Sequence, residues 1–265
     1  MSQLLSRILV AVVALPAVLW LVYLGGWWLF GLALVVAVIA LHELYVMARS
    51  LRPLVLAGYA GAAATLLGAQ LGGAGWMIGG FSLTLLLAFL LYGIAETRQS
   101  GTITMGSTLL GVAWIGLGLG HLVLLRDIPQ HGRLAIFTVL LAVFADDTAA
   151  YFVGRLVGRH KLAPAISPGK TWEGFVAGTA AAVAVAFFAL YDQEFLTIPE
   201  SLLLGAAVAL AGAAGDLFES AVKRDLQVKD SGRLLGGHGG MLDRIDAHLF
   251  AAIAGFYVVL ALGYA

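Results

Sequence analysis

Nine stretches of this chain are apolar enough, and close enough to 20 residues long, to cross a bilayer, and little polypeptide is left between them. Hydrocarbon offers backbone N–H and C=O groups no partner but one another, so a span of about 20 mostly apolar residues has to be helical. Such windows run over residues 8–24, 27–46, 54–71, 76–95, 104–125, 134–157, 174–191, 201–219 and 243–264. They predict an all-α polytopic integral membrane protein of about nine transmembrane helices, forming a single membrane domain over residues 1–265. Only Gly25 and Gly26 separate the first two windows, and residues 72–75 the next two, so each pair is expected to be a tight helical hairpin. Arg7 ahead of an apolar run, with small residues near Pro16, also allows a cleaved signal peptide. An uncleaved first span is the better reading, because the run reaches Leu24 and further spans follow at once.

Lys and Arg orient the set, since loops retained in the cytoplasm are enriched in them. With the amino terminus cytoplasmic, that side collects thirteen of the fifteen Lys and Arg residues, and the other side receives only Arg126 and Arg133. Nine spans then leave the carboxyl terminus on the opposite side. Residues 192–200, expected on that opposite side, carry acidic charge alone.

Charge and composition narrow the chemistry. Only 11% of residues are charged, against roughly 25% in soluble domains. The formal net charge is zero, which argues against a nucleic-acid partner. There is no Cys, so disulfides, thiolate nucleophiles and cysteine zinc sites are excluded. A metal would have to be held by oxygen or imidazole donors, which favours Mg²⁺.

Two long polar segments carry the remaining chemistry, and both fall on the predicted cytoplasmic side. Residues 1–140 supply packing helices; residues 141–265 form the candidate catalytic half, with cytoplasmic loops 155–173 and 220–242. In the second segment, Asp216 lies near the end of the eighth window, while Asp243 and Asp246 begin the ninth. A carboxylate in a span costs roughly 2.5–3.5 kcal/mol on insertion scales, so it needs a compensating reason. Helix capping is one such reason and weighs about equally with metal binding for any one Asp. Three together favour a Mg²⁺ site made of Asp216, Asp243 and Asp246, with a second cation as an option. Lys223, Arg224, Lys229, Arg233 and Arg244, with Gly236, Gly237, Gly239 and Gly240 around His238, form a mixture suited to phosphate. Glycine lets backbone amides approach anionic oxygens while the cations supply charge. A cationic loop that only fixes topology would explain the Lys and Arg residues, but not a histidine among four glycines beside paired aspartates. His238 itself stays open between a phosphate donor, a base and a structural hydrogen-bonding residue.

In the first segment, Gly169, Lys170 and Thr171 match the end of a P-loop, but Pro164 stands where that motif needs glycine, and the strand that should precede the motif is not expected here. What remains is a Ser167-Pro168-Gly169 turn leading to Thr171, an expected N-cap of the seventh span, with Lys170 as a point charge for phosphate at that helix start. Upstream, Asp147, Tyr151 and Arg155 are spaced by four and make one polar helix stripe, expected to line a cavity facing the site.

The run SAVKRDLQVKDSGRLLGGHGGMLDRID, residues 220–246, resembles the signature of the phosphatidate cytidylyltransferase family, the CDP-diacylglycerol synthases. Ser220, Lys223-Arg224, Lys229 to Gly232, His238 to Gly240, Asp243-Arg244 and Asp246 all match it. Residues 147–155 and 160–174 resemble the same family, whereas residues 1–140 agree only in being apolar. Gly236 stands where many members have proline, and Asp146 is an extra acid without an assigned role. The resemblance implies transfer of CMP from CTP to phosphatidate, giving CDP-diacylglycerol and pyrophosphate. It implies Mg²⁺ on Asp216, Asp243 and Asp246, and phosphate contacts from Lys223, Arg224, Lys229 and Arg244. Ser167, Lys170, Thr171 and Asp147 would line the lipid or nucleotide side; Asp230 would position a lysine or the metal; Ser220, Ser231, Gly232, His238, Gly239 and Gly240 belong to the substrate loop. A homodimer in a bacterial cytoplasmic membrane is also suggested.

Three other readings compete. A polyprenol kinase would move the γ-phosphoryl group and release no pyrophosphate. A CDP-alcohol phosphotransferase is disfavoured because its Asp-Gly-x-x-Ala-Arg start is absent. A transporter would gather charge at the bilayer midplane between repeats, and no repeat is visible.

Overall fold

A computed structural model describes residues 3–94, 100–232 and 239–264. The apolar windows fold as helices, as the need to satisfy backbone groups internally requires. In chain order these are α1 (Gln3–Leu24), α2 (Gly26–Met47), a 3₁₀ turn (Arg49–Leu51), α3 (Val55–Ile94), α4 (Gly101–Gly111), a π turn (Val112–Gly116) and α5 (Leu117–Arg126). There follow α6 (Gly132–Val157), β1 (Lys161–Ala163), β2 (Ser167–Thr171), α7 (Trp172–Leu190), α8 (Ile198–Asp225) and α9 (Leu242–Ala261). Among the described residues, seven helices are long and apolar enough to cross a membrane, counting α4 to α5 as one.

Two expected windows merge in the 40 residues of α3, but its backbone leaves helical geometry at Gly72 and at Gly73, where φ is 70°. Beyond that break the chain returns on itself: Gly68 lies against Trp76, Gly80 against Ala64, and Gly61 against Thr84. The two halves of α3 therefore form the hairpin read from residues 72–75.

The chain divides into two compact units: residues 1–127 with 228–244, and residues 128–227 with 245–265. In the first unit α3 packs on α2, α4 and α5. Its core includes Leu41, Leu44, Leu66, Met77, Ile115 and Leu125, all fully buried. Tyr45 and Thr108 find backbone partners in this apolar setting, where an unmade hydrogen bond is costly. The Tyr45 hydroxyl donates to the Thr108 carbonyl at 3.0 Å, and Thr108 Oγ1 accepts from the Leu54 amide at 2.8 Å. Arg126 closes α1: Nε donates to the Val22 carbonyl at 3.1 Å, and Nη2 to those of Tyr23 at 2.9 Å and Leu24 at 3.4 Å. Those carbonyls have no intrahelical donor at a helix end.

In the second unit α7 packs against both α6 and α8. Thr171 is the N-cap of α7, as expected, its Oγ1 accepting from the Gly174 amide at 3.2 Å. Ahead of it a short two-stranded hairpin, not expected from the sequence, interrupts the otherwise helical fold. Strands β1 and β2 pair antiparallel, Lys161 opposite Thr171 and Ala163 opposite Ser167. The turn therefore falls at residues 164–166, closed by the Ile166 amide donating to the Ala163 carbonyl at 3.2 Å. Ser167, Pro168 and Gly169, read as the turn, lie within β2 instead. Pro164 suits the turn position because it presets φ.

Candidate active site

Within the second unit, α6, the β1–β2 hairpin, α7 and α8 enclose an open cavity of about 640 Å³. Its wall contains Asp147, Ser167, Lys170, Thr171 and Asp216, each named from the sequence as a site residue. The helical stripe behaves as its spacing predicts, because Asp147, Tyr151 and Arg155 all line the cavity. Arg155 Nη1 donates to the Tyr151 hydroxyl at 2.8 Å, so the guanidinium is held at the cavity edge. Lys161 lines the wall from β1. Lys170 reaches from β2 to α8, with Nζ 2.7 Å from Asp216 Oδ2.

Acidic groups accumulate around that ion pair. Asp146 also lines the cavity and is buried, its carboxylate lying against Gly178 of α7. Asp146, Asp147 and Asp216 all interact electrostatically with one another and with Lys170. Asp246 joins them from α9, with Asp216 and Asp147 as its charged neighbours. The main chains explain how. A Cβ on Gly215 would stand 2.6 Å from the Asp246 carbonyl oxygen, so α8 and α9 touch there and the neighbouring Asp216 is brought to Asp246. Ser220 Oγ lies 3.5 Å from Asp216 Oδ1, one turn further along α8.

Lys223 and Arg224 are already engaged within this unit. Lys223 Nζ is 2.7 Å from the carboxylate of buried Glu219, which also lies within hydrogen-bonding reach of Asp246. Arg224 Nε donates to the Ile166 carbonyl at 3.3 Å, tying α8 to the hairpin turn.

The glycine-rich segment belongs to the first unit. Asp243, in the first turn of α9, accepts from the Ser231 amide at 3.2 Å and from the Gly240 amide at 2.8 Å. Both ends of the segment are thereby bound to one carboxylate. A second carboxylate does the same work from α2. Glu43, only 6% exposed, accepts from the Met241 amide at 3.0 Å, the Leu242 amide at 2.9 Å and Ser231 Oγ at 3.4 Å. Gly232 and Gly240 face it so closely that a Cβ would stand 2.5 Å and 2.6 Å from its oxygens.

Lys229 and Asp230 are exposed and make no side-chain ion pair among the described residues; Arg244 is exposed on the first turn of α9. Gly239 has φ 82°, and its neighbourhood includes Asp243 Oδ2. His238, with Arg233, Gly236 and Gly237, lies outside the described residues. Sequence reasoning passed over Glu43 and Glu219. Each is a carboxylate within a long apolar helix, and that was the available signal.

Among the described residues, no group of three His, Asp or Glu side chains stands ready to enclose a metal. The oxygen donors Asp216 and Asp246 nevertheless fit Mg²⁺, which is usually held by one or two carboxylates with waters and substrate phosphates rather than by an all-protein cage.

Comparison with known proteins places the chain in a family. The chain is 36% identical over 249 residues to a phosphatidate cytidylyltransferase of Staphylococcus haemolyticus, covering 92% of this chain and 94% of that one. It is 40% identical over 159 residues to the enzyme of that name from Bacillus subtilis, 60% of this chain and 59% of that one. With the Mycobacterium bovis enzyme of the same name, identity is 44% over 138 residues, 51% of this chain and 44% of that one. Residues 5–262 match the profile of the family described as the cytidylyltransferase family, and the chain belongs to it.

Proposed function

We propose that this protein transfers CMP from CTP to phosphatidate, forming CDP-diacylglycerol and pyrophosphate. The observation that carries the reading is the cavity in which Lys170 and Asp216 meet among Asp146 and Asp147. A lipid phosphate and a nucleoside triphosphate are both polyanions, so their reaction needs fixed cations, and carboxylates to gather a divalent ion between them. In the second unit Lys170 and Arg155 supply charge at the cavity wall, and Lys223, held by Glu219, offers a further ammonium. In the first unit, Lys229, Arg244 and the amides of the glycine-rich segment suit phosphate oxygens.

The phosphatidate oxygen forms the new bond to the α-phosphorus of CTP as the bond from that phosphorus to the β-phosphate oxygen breaks, and pyrophosphate leaves. The attacking oxygen is already anionic near neutral pH, so no strong general base is required. Asp216 and Asp246 are the proposed holders of Mg²⁺, with the reactants' phosphates completing its shell. When bound, that ion stabilises negative charge on the attacked phosphoryl group. Asp243, read from the sequence as a third ligand, ties the ends of the glycine-rich segment through Ser231 and Gly240.

The proposed topology is nine spans: α1, α2, the two halves of α3, α4 to α5, and α6 to α9, with the amino terminus and the polar segments cytoplasmic, where CTP is found. Exposed Trp20, Trp27, Trp28 and Trp76 support it. They flank the α1–α2 turn and the α3 break, which alternation puts on one interface, where tryptophan is favoured. A bacterial cytoplasmic membrane and a homodimer complete the reading, the latter carried over from the resemblance alone. The test is to supply purified, lipid-reconstituted protein with CTP, phosphatidate and Mg²⁺. CDP-diacylglycerol with equimolar pyrophosphate is expected; absence of both would overturn the reading, and a phosphorylated lipid alcohol with CDP would favour a kinase.

A further inference from the structure

Glu43 is the one carboxylate in the 22 residues of α2. An acid buried in an apolar helix needs donors to offset its desolvation, and here three donors come from the two stems of one segment nearly 200 residues away. One stem is Ser231 with Gly232; the other is Gly240 through Leu242. The carboxylate lies between them, and the absence of side chains at Gly232 and Gly240 is what lets both stems close on it. A carboxylate is acceptor-only, so it can face several N–H and O–H donors at once; a carboxamide cannot, because one of its two ends is itself a donor.

We infer that Glu43 is a positioning residue: its carboxylate sets the spacing between the two stems, Ser231–Gly232 and Gly240–Leu242, and thereby the affinity of the backbone amides on those stems for a substrate phosphate group. This rests on the reading of that segment as phosphate-binding. Asp243 cannot do the task alone, since it binds the Ser231 and Gly240 amides and leaves those of Met241 and Leu242 to Glu43. Those two amides open α9, where a negative group also complements the helix dipole. Loss of Glu43 therefore frees the second stem at the point where it enters the helix. Phosphate groups are carried by both CTP and phosphatidate, and the kinetic arms below separate them.

The experiment uses the full chain in lipid nanodiscs with Glu43→Gln and Glu43→Asp. The aspartate keeps the charge but falls short by one methylene, so it also serves if the glutamine variant does not fold. Hydrogen exchange at residues 240–242, measured by mass spectrometry, should accelerate by about tenfold or more, the loss expected for hydrogen bonds to a charged group. KM should rise by about tenfold for the substrate whose phosphate the segment holds, CTP or phosphatidate, with the aspartate variant intermediate. A role confined to folding would lower the thermal midpoint and the active fraction while leaving both KM values unchanged. The inference is overturned by that result, or by exchange at 240–242 equal to wild type in a folded variant. If the wild-type protein made no CDP-diacylglycerol, the proposed activity would fall, while the exchange arm would still decide whether Glu43 holds the stems.

Discussion

Lys170 Nζ stands 2.7 Å from Asp216 Oδ2, and this ion pair joins the β1–β2 hairpin to α8 inside the cavity. Both side chains keep partial solvent access, 23% and 34%, so their mutual attraction is worth about 1 kcal/mol or less to folding. Their importance is expected in turnover. Lys170→Met and Asp216→Asn should each reduce kcat/KM by about a hundredfold, the scale for removing a group that stabilises transition-state charge. Thermal midpoints should move by only a few degrees, about 2–4 °C per kcal/mol for a chain of this size. Steady-state assays beside thermal melts check this. Near-normal turnover in either variant would remove the pair from the site.

Asp216 and Asp246 are brought together by the contact between α8 and α9 at Gly215. If they hold Mg²⁺, chelation should abolish product formation and Mg²⁺ should restore it. Asp246→Asn should then need about tenfold or more Mg²⁺ for half-maximal rate, the cost of losing one ligand or its support. An unchanged Mg²⁺ dependence would argue that Asp246 serves only helix packing.

The helices were legible because burial in hydrocarbon leaves a continuous apolar run, and the Thr171 cap and the Asp147–Tyr151–Arg155 stripe because both are local patterns with fixed spacing. The hairpin was not legible. A three-residue strand such as Lys161–Ala163 is too short to show a period of two, and its register depends on pairing rather than on composition. Asp216, Asp243 and Asp246 were readable as acids near the ends of apolar windows, but α8 runs on to Asp225 and so carries Asp216 and residues 220–225, expected in a loop, within the helix; nor was the division of labour among the three acids legible. Asp216 meets Lys170 and Asp246, whereas Asp243 is committed to Ser231 and Gly240. Glu43 shows the limit most plainly, since nothing near it in the chain announces a partner at Leu242.

The proposed topology is testable because the chain has no native cysteine. Single cysteines at Lys229 and at Gln193 should report opposite sides: a membrane-impermeant maleimide added to intact cells should label Gln193→Cys and spare Lys229→Cys until the membrane is opened. Labelling of both in intact cells, or the reverse pattern, would reject the orientation.

Arg224 gives a case where the structure and the resemblance assign different work to one side chain. The resemblance makes it a phosphate contact, while its Nε donates to the Ile166 carbonyl in the hairpin turn. If the strap is its main task, Arg224→Gln should loosen residues 161–171, raising proteolytic cutting there, with a loss of activity of about tenfold, as for one charge-assisted hydrogen bond. Arg224→Lys, which lacks the Nε donor, should behave like the glutamine variant. A direct phosphate contact would instead be partly preserved by lysine, with the hairpin unchanged in both variants. Limited proteolysis alongside the kinetics therefore separates the strap from the phosphate contact.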